Sequence, residues 1–285
     1  MPLAHLMLPR HRLFLQEINS FVMKIAIIGA GNMGGAIARG IARSKMPAIK
    51  CIAVSSPNRH GELEALKSDF PEIVTTTNNS TAVCDADMVV VAVKPWLLDE
   101  VMHEIAPSVD FSRQMLVSIV AGVPLSHLAE FAPAEIKPAV FRLIPNTAIA
   151  VGESMTFIAS ANATDEQIAA VSDIFSQMGK VMVVEERLMG AGTALASCGI
   201  AYVMRYVRAA TEGGVELGMR ADDAKAVMLQ TLIGAARLLE ATGNNPEAEI
   251  DKVTTPGGIT IRGLNAMERN GFTTAVIEGL KASCK

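Results

Sequence analysis

Aromatic side chains and excess positive charge are both scarce in this sequence. Only 4% of the residues are Phe, Trp or Tyr, and 25 Lys and Arg stand against 29 Asp and Glu, giving a net charge of −4. Few aromatic rings leave no stacking platform for bases, and a slightly acidic chain does not attract phosphate backbones or anionic membrane surfaces. We therefore expect neither nucleic acid nor a membrane among its partners.

Cysteines are few and scattered. Cys51, Cys84, Cys198 and Cys284 have neither the spacing of metal ligands nor that of a disulfide framework. No apolar run approaches the roughly 18 residues that are needed to span a bilayer. We expect no metal, and these absences favour the reducing cytoplasm as the location.

An evident acid–base centre is also missing. No pair of carboxylates stands out, and no histidine lies in a motif that suggests catalysis. The sequence therefore does not indicate chemistry that depends on such a centre. The five histidines are His5, His11, His60, His103 and His127.

The pattern of segments changes near residue 185. The chain has 285 residues, half of them hydrophobic, which allows one large domain or two ordinary ones. Strands and helices alternate up to residue 184, and helical composition dominates afterwards. This predicts an α/β fold, a doubly wound parallel sheet of the Rossmann type, followed by an all-α domain. The predicted divisions are an extension at 1–22 without an assigned function, a dinucleotide-binding domain at 23–185 and a helical domain at 186–285.

A glycine-rich turn follows the first predicted strand. Residues 24–28 form a short apolar run, and residues 35–42 have helical composition. The three glycines between them suit a tight turn, close approach to a pyrophosphate and packing of helix on strand. The arrangement predicts dinucleotide binding by Gly29-Ala30-Gly31-Asn32-Met33-Gly34.

The end of the second predicted strand bears on which dinucleotide binds. An NAD site usually ends this strand with Asp or Glu, which holds the ribose 2′-hydroxyl. Here residues 49–54 are followed by Ser55-Ser56-Pro57-Asn58-Arg59, which offers hydroxyls, an amide and a guanidinium to a 2′-phosphate. The sequence favours NADP(H) over NAD(H). The alternative is a polar loop in which Arg59 is incidental.

Two later strands end in loops where cofactor and substrate would meet. The buried strand at 87–93 ends in Lys94-Pro95, and the strand at 139–144 leads into Pro145-Asn146. Lys94 can contact substrate or cofactor, or simply face water. The Asn146 amide can hydrogen-bond the nicotinamide carboxamide, or hold its own loop.

A second glycine-rich stretch lies near the C-terminal end, at Val253-Thr254-Thr255-Pro256-Gly257-Gly258-Ile259-Thr260. Pro fits the first turn of a helix, and the free N–H groups of a helix start favour an anion. Thr255 and Thr260 add hydroxyls. The stretch predicts a carboxylate pocket with a hydroxyl beside it, and the alternative is a capped helix start without a ligand.

The helical region predicts self-association. Its helices, expected at 189–217, at 221–242, after Pro256 and at 273–282, are rich in small residues and carry little charge on several faces. Such faces need a partner to cover them, so we expect an obligate homodimer through this domain.

These residues together resemble those of the pyrroline-5-carboxylate reductases, over essentially the whole chain from Met23 to Lys285. The resemblance implies reduction of a cyclic imine to L-proline with NAD(P)H, a Rossmann domain followed by a helical dimerisation domain, and often five dimers in a ring. The marks are the first glycine turn, Val93-Lys94-Pro95, Pro145-Asn146 and, above all, the stretch 253–260.

The resemblance also implies roles for particular residues. Thr260 is the catalytic residue whose hydroxyl meets the imine nitrogen. Thr255 and the amides of Gly257, Gly258 and Thr260 bind the substrate carboxylate. The motifs described above and the resemblance together give the expected cofactor residues, with Ser55, Ser56 and Asn79 placed by the resemblance near the adenosine phosphate and ribose. They are Gly29, Gly31, Asn32, Met33, Gly34, Ser55, Ser56, Arg59, Asn79, Val93, Lys94, Pro95 and Asn146.

Two alternatives follow from a departure at residues 196–202. The family usually has Ser-Gly-Ser-Gly-Pro-Ala-Tyr there, whereas this chain has Ala-Ser-Cys-Gly-Ile-Ala-Tyr. One alternative is a reductase of another small imine or a β-hydroxyacid. A β-hydroxyacid dehydrogenase would need a lysine in the interdomain helix as its acid and base, and only Lys225 is available there, on a solvated face. The other is a non-catalytic dinucleotide-binding protein.

Overall fold

The structure, a computed structural model, describes residues 23–284. The predicted extension at 1–22 lies outside the described residues. The chain divides into two compact units, one ending at Gly192 and one beginning at Thr193.

An eight-stranded sheet forms the centre of the first unit. Its strand order is β3-β2-β1-β4-β5-β6-β7-β8, and all neighbours are parallel except β6 and β7, which run antiparallel. The predicted α/β class is confirmed, with one antiparallel pair in an otherwise parallel sheet. The strands are β1 (Met23–Ile28), β2 (Ile49–Ser55), β3 (Val74–Thr76), β4 (Met88–Val91), β5 (Met115–Ser118), β6 (Val140–Ile144), β7 (Ser154–Ala161) and β8 (Gly179–Val183).

Helices connect these strands. Sequence analysis anticipated most of them, but it missed the short α3. Short 3-10 helices follow β4 at Pro95–Leu97 and β6 at Thr147–Val151. The helices of the first unit are α1 (Asn32–Ser44), α2 (His60–Asp69), α3 (Asn79–Val83), α4 (Leu98–Ile105), α5 (Leu125–Ala129), α6 (Asp165–Ser176) and α7 (Met189–Gly192).

The core of the first unit consists of two apolar clusters. Alternate residues of β1 divide between them: Ile25 and Ile27 belong to one cluster, and Ala26 and Ile28 to the other. Because successive side chains of a strand point to opposite faces, β1 is buried on both sides. This explains why its sequence is a continuous apolar run.

The second unit is entirely helical among its described residues. The predicted long helix at 189–217 is interrupted, because Thr193–Cys198 adopts a π-helix before α8 begins. Sequence analysis also missed α10. The helices are α8 (Gly199–Glu216), α9 (Ala221–Thr242), α10 (Pro246–Val253), α11 (Ile259–Arg269) and α12 (Phe272–Ser283).

The second unit buries little of its own apolar surface. Only Ala194, Gly199 and Ala224 are buried among its residues up to 284. Large apolar side chains are exposed instead, such as Leu217 at 87%. No helix within 23–284 is long and apolar enough to cross a bilayer.

Candidate active site

The first glycine turn depends on the absence of side chains at two positions. Gly29 has φ = +110°, and a Cβ atom there would lie 2.6 Å from the carbonyl oxygen of Ala92. A Cβ atom on Gly34 would lie 1.9 Å from the carbonyl oxygen of Gly29. A hydrogen bond joins the turn to β2, since the Gly29 N–H donates to the Ser55 carbonyl at 2.7 Å. These contacts explain the close packing of α1 against the sheet.

Gly31 has a different reason to be glycine. It is the residue just before α1, and a Cβ atom there would have no heavy atom within 4 Å. The first turn of α1 contains no acidic residue, and its N–H groups have no acceptor within the helix. Asn32 is exposed beside it, whereas Met33 is half-buried. An open glycine above a helix start is a cradle for a pyrophosphate.

A cavity of about 250 Å³ adjoins this helix start. It lies between the beginnings of α1 and α2. Its lining includes Gly31, Asn32 and Arg39 from one side and Gly61 and Glu62 from the other. The cavity therefore borders both the glycine turn and the start of α2.

Several polar groups at the end of β2 and just after it form hydrogen bonds within the protein. Ser55 is fully buried and donates a hydrogen bond of 2.7 Å to Oδ1 of Asn79, which is also buried. Ser56 is buried and its N–H donates to the Thr76 carbonyl. The Arg59 guanidinium donates to the Glu62 carboxylate at 2.6 Å. The structure thus brings Ser55 and Asn79 together and pairs Arg59 with Glu62.

Glu104 was missed by sequence analysis. Nδ2 of Asn79 donates to Oε2 of Glu104 at 2.8 Å, which extends the Ser55–Asn79 pair to α4. A lone glutamate at the end of an amphipathic helix carries no local signal of such a contact.

The loop after β4 is exposed over most of its length. Val93 is half-buried, whereas Lys94 and Pro95 are exposed. Next to them Trp96, the only tryptophan of the chain, is 76% exposed. Lys94 thus faces water.

Asn146 holds its own loop. It is buried, and its Oδ1 accepts a hydrogen bond of 3.0 Å from the Ala148 N–H. The Asn146 N–H donates to the Ser154 hydroxyl. Of the two roles anticipated for this amide, the structure shows the loop-holding one.

In the second unit, residues 255–258 form a tight turn before α11. The Gly258 N–H donates to the Thr255 carbonyl at 2.9 Å, and Gly257 has φ = +70°. A type II turn typically has Pro at its second position and Gly with positive φ at its third, and Pro256 and Gly257 occupy these positions here. The expected place of Pro256 in the first turn of the helix was therefore wrong, because α11 begins only at Ile259.

The turn places two threonines near one helix start. Thr260 is the second residue of α11 and is exposed, and its N–H lacks an acceptor within the helix. A Cβ atom on Gly258 would lie 2.5 Å from the Thr255 hydroxyl, so only glycine allows that hydroxyl to lie over the helix start. The Gly258 N–H is occupied by the turn, which leaves N–H groups of the first helical turn, including that of Thr260, for an anion.

Residues 23–284 contain no group of three or more His, Cys, Asp or Glu arranged to hold an ion.

A Rossmann sheet with this glycine turn, followed by a helical unit, defines the class of dinucleotide-binding oxidoreductases. Two family models agree: "NADP oxidoreductase coenzyme F420-dependent" matches residues 24–122, and "Pyrroline-5-carboxylate reductase dimerisation" matches residues 186–285. The chain is 35% identical over 262 residues to the pyrroline-5-carboxylate reductase of Synechocystis, covering 92% of this chain and 96% of that one. The chain belongs to the pyrroline-5-carboxylate reductases, oxidoreductases that act on a C=N bond, which confirms the predicted family and reaction.

Other relatives agree with this assignment. Pyrroline-5-carboxylate reductase 1 of Dictyostelium discoideum is 38% identical over 91% of this chain, which spans only 48% of that protein. Reductase 2 of the same organism is 34% identical, with 92% of this chain and 91% of the relative covered. The crystal structure of the Plasmodium falciparum reductase with NADP bound has a TM-score of 0.81 at 28% identity, covering 92% of this chain and 95% of that one.

Proposed function

We propose that this chain reduces 1-pyrroline-5-carboxylate to L-proline, with NADPH favoured over NADH. The observation that carries the proposal is the helix start of α11, where exposed N–H groups and the hydroxyls of Thr255 and Thr260 gather within six residues. The substrate has the matching chemistry, a carboxylate next to a ring nitrogen.

The protein has little acid–base work to do in this reaction. An imine nitrogen is basic enough to arrive at least partly protonated, so its carbon is already electrophilic. NADPH, when bound, supplies the hydride. What the chain must supply is position, namely a pinned carboxylate and a hydrogen-bonded nitrogen. This agrees with the lack of a histidine or paired-carboxylate motif in the sequence.

The α11 helix start provides both contacts. Its partial positive charge and free N–H groups hold the carboxylate, with the Thr255 hydroxyl beside them. The Thr260 hydroxyl contacts the nitrogen and relays a proton to the product amine. Gly257 and Gly258 serve by conformation, because the turn needs positive φ at the first and no Cβ atom at the second.

The first unit holds the dinucleotide. The open Gly31 and the first turn of α1, with Asn32 and Met33, receive the pyrophosphate. Val93, Lys94, Pro95 and Asn146 belong to the loops around the nicotinamide. The preference for NADPH is supported by the absence of an acid directly after β2, and by the NADP that the Plasmodium relative carries.

The chain acts as a homodimer through its second unit. That unit buries only three of its residues up to 284, so its apolar helix faces call for a partner. The family model for residues 186–285 is one of dimerisation. Three further points stay predictions. Light scattering tests the assembly of five dimers into a ring, limited proteolysis tests the domain division after residue 185, and cell fractionation tests the cytoplasmic location.

A second candidate deserves a test because of residues 193–198. The π-helix there overlaps the departure from the family pattern at 196–202, and π-helices are frequent at functional sites. A π-helix together with an altered sequence at this place favours an altered substrate, such as a larger cyclic imine carboxylate, over a loss of the fold.

One assay separates these functions. Purified protein is mixed with 1-pyrroline-5-carboxylate and either NADPH or NADH, and loss of the reduced cofactor and formation of proline are followed. Rapid proline formation with a lower KM for NADPH supports the proposal. Tight NADPH binding without turnover contradicts it; activity on the larger imine would then identify the second candidate, and inactivity on both a non-catalytic protein.

A further inference from the structure

The cavity between α1 and α2 contains a cation that the sequence pattern did not single out. Arg39 lies in the middle of α1, and it lines the cavity together with Gly31 and Gly61. The side chain is 30% exposed, so the group is accessible without projecting freely into water.

Gly35 makes room for this guanidinium. Side chains on a helix tilt toward its N-terminus, so Arg39 extends back over the preceding turn, where Gly35 lies. A Cβ atom on Gly35 would be only 3.2 Å from a terminal nitrogen of Arg39. The glycine therefore lets the guanidinium lie against the helix and point toward its beginning, where the pyrophosphate is expected.

One edge of the guanidinium is fixed and the other is open. Nε of Arg39 donates to Oδ2 of Asp69 at the end of α2, at 3.2 Å. Its two terminal nitrogens donate no hydrogen bond within residues 23–284. Such a pair of N–H groups is suited to a phosphate, which accepts two parallel hydrogen bonds from arginine.

The charge around the cavity agrees with an anionic ligand. Glu62 also lines the cavity, but its carboxylate is paired with Arg59 at 2.6 Å. Each acid near the cavity thus has its own arginine, and the terminal nitrogens of Arg39 remain as the open cationic surface.

We propose that Arg39 binds the 2′-phosphate of NADPH and so adds to the preference for NADPH over NADH. The proposal rests on the proposed use of NADPH. The cavity borders the glycine turn, which holds the pyrophosphate, and the start of α2, which follows the loop after β2. The 2′-phosphate of an adenosine bound across these two elements lies between them. Asp69 is a positioning residue that fixes the guanidinium through Nε.

The experiment compares 2′,5′-ADP with 5′-AMP by calorimetry, because these two fragments differ only in the 2′-phosphate. Arg39→Gln is expected to weaken binding of 2′,5′-ADP roughly 10- to 100-fold, as for loss of charge-assisted hydrogen bonds, and to leave 5′-AMP unchanged. The matched control is Arg43→Gln, one turn later in α1, where the guanidinium lies over the Phe70 ring and does not line the cavity. The control loses the same charge and keeps full affinity for both fragments.

A further variant separates recognition from packing of α1 on α2. Asp69→Asn breaks the ion pair but leaves Arg39 in place, so it is expected to weaken 2′,5′-ADP binding only a few-fold. Equal losses in Arg39→Gln and Asp69→Asn, with equally lowered melting temperatures, would overturn the proposal in favour of a structural ion pair. An equal loss for both fragments in Arg39→Gln would assign the guanidinium to the 5′-phosphate side and overturn it too.

The wild-type protein provides the remaining comparison. If it binds the two fragments equally, the proposed NADPH preference itself is wrong. If it prefers 2′,5′-ADP and Arg39→Gln keeps that preference, the role of Arg39 is wrong while the NADPH preference stands.

Discussion

The Gly29 carbonyl oxygen lies so close to Gly34 that a Cβ atom at position 34 would be 1.9 Å from it, whereas a Cβ atom on Gly31 would meet nothing within 4 Å. Two glycines of one motif thus have separate duties. Gly34 is required by the folded chain, and we propose that Gly31 is required by the cofactor.

Alanine at these two positions should therefore give opposite results. Gly34→Ala forces the turn or α1 to move and should lower the free energy of unfolding by about 1–3 kcal/mol. Gly31→Ala fits the backbone, whose φ is −69°, and should leave the melting temperature unchanged while weakening NADPH binding at least about tenfold. Thermal unfolding and calorimetry measure the two effects. Normal NADPH affinity in Gly31→Ala would contradict the pyrophosphate site.

Thr260 should matter for turnover more than for cofactor binding. Removing its hydroxyl in Thr260→Ala is expected to lower kcat about 100-fold while the KM for NADPH changes little, because the lost contact is to the imine nitrogen. Thr260→Ser keeps the hydroxyl and should retain most of the rate. Steady-state kinetics with both substrates make the comparison, and wild-type rates in Thr260→Ala would remove this residue from the mechanism.

Asn79 should contribute to stability through Ser55 and Glu104. In Asn79→Ala the buried Ser55 hydroxyl and the Glu104 carboxylate lose their partner, at a cost of about 1–3 kcal/mol. A double-mutant cycle with Ser55→Ala should give a coupling of about 1 kcal/mol in denaturant unfolding. Unchanged stability together with weaker NADPH binding would instead favour the direct cofactor contact that the family resemblance implies.

Glu62 should act against NADPH. Its pKa lies below the ordinary value of 4.5, mainly because the carboxylate accepts its own backbone N–H and then because of Arg59, so it is ionised at neutral pH. Glu62→Gln removes this negative charge from the cavity and frees Arg59, and should tighten NADPH binding a few-fold. NADH affinity should not change. Glu64→Gln, an exposed control on the same helix, should alter neither affinity.

His127 should make stability depend on pH. Its Nε2 is 2.8 Å from Asp99 Oδ1 and its Nδ1 is 3.0 Å from Glu130 Oε2, and the hydrogen bond to Asp99, followed by that to Glu130, raises its pKa above 6.5. The charged ring can donate to both acids, so its stabilisation is complete below about pH 6.5 and is lost as the pH rises through the raised pKa.

The measurement is the difference in melting temperature between wild type and His127→Asn across that range of pH. The difference should shrink as the pH rises and correspond to less than about 1 kcal/mol, because solvent screens a pair this exposed. Asp99→Asn removes the main partner and should abolish most of the pH dependence. A difference that stays constant with pH would show that His127 contributes by packing alone.

The Rossmann half of the molecule could be predicted because its signals are local. An apolar run, three glycines and a helical segment follow one another within residues 24–42, and each constrains the next. The helical unit was harder: composition predicts a helix at 189–217, but hydrogen-bond spacing within a helix leaves no mark in composition, so the π-helix at 193–198 was not foreseen.

Contacts between elements and local backbone geometry together explain the remaining differences. Ser55 looks like a cofactor ligand by its place at the end of β2, yet its hydroxyl donates to Asn79 of α3, which in turn donates to Glu104 of α4. Pro256 suits a helix start by itself, but the positive φ of Gly257 makes it part of a turn. The cavity position of Arg39 depends on the missing side chain of Gly35 and on α2, which a pattern along one helix does not reveal.

The exposed Trp96 has a spectroscopic consequence. Trp96 is the only tryptophan of the chain, so it dominates the fluorescence excited at the long-wavelength edge of the protein's near-ultraviolet absorption band. Its exposure predicts emission at the long wavelengths of hydrated tryptophan. Indole emission overlaps the absorption of reduced nicotinamide, so NADPH that binds near this loop should quench it by energy transfer. The chain thus carries its own optical reporter beside Lys94 and Pro95, and titrations of cofactor can be read without a label.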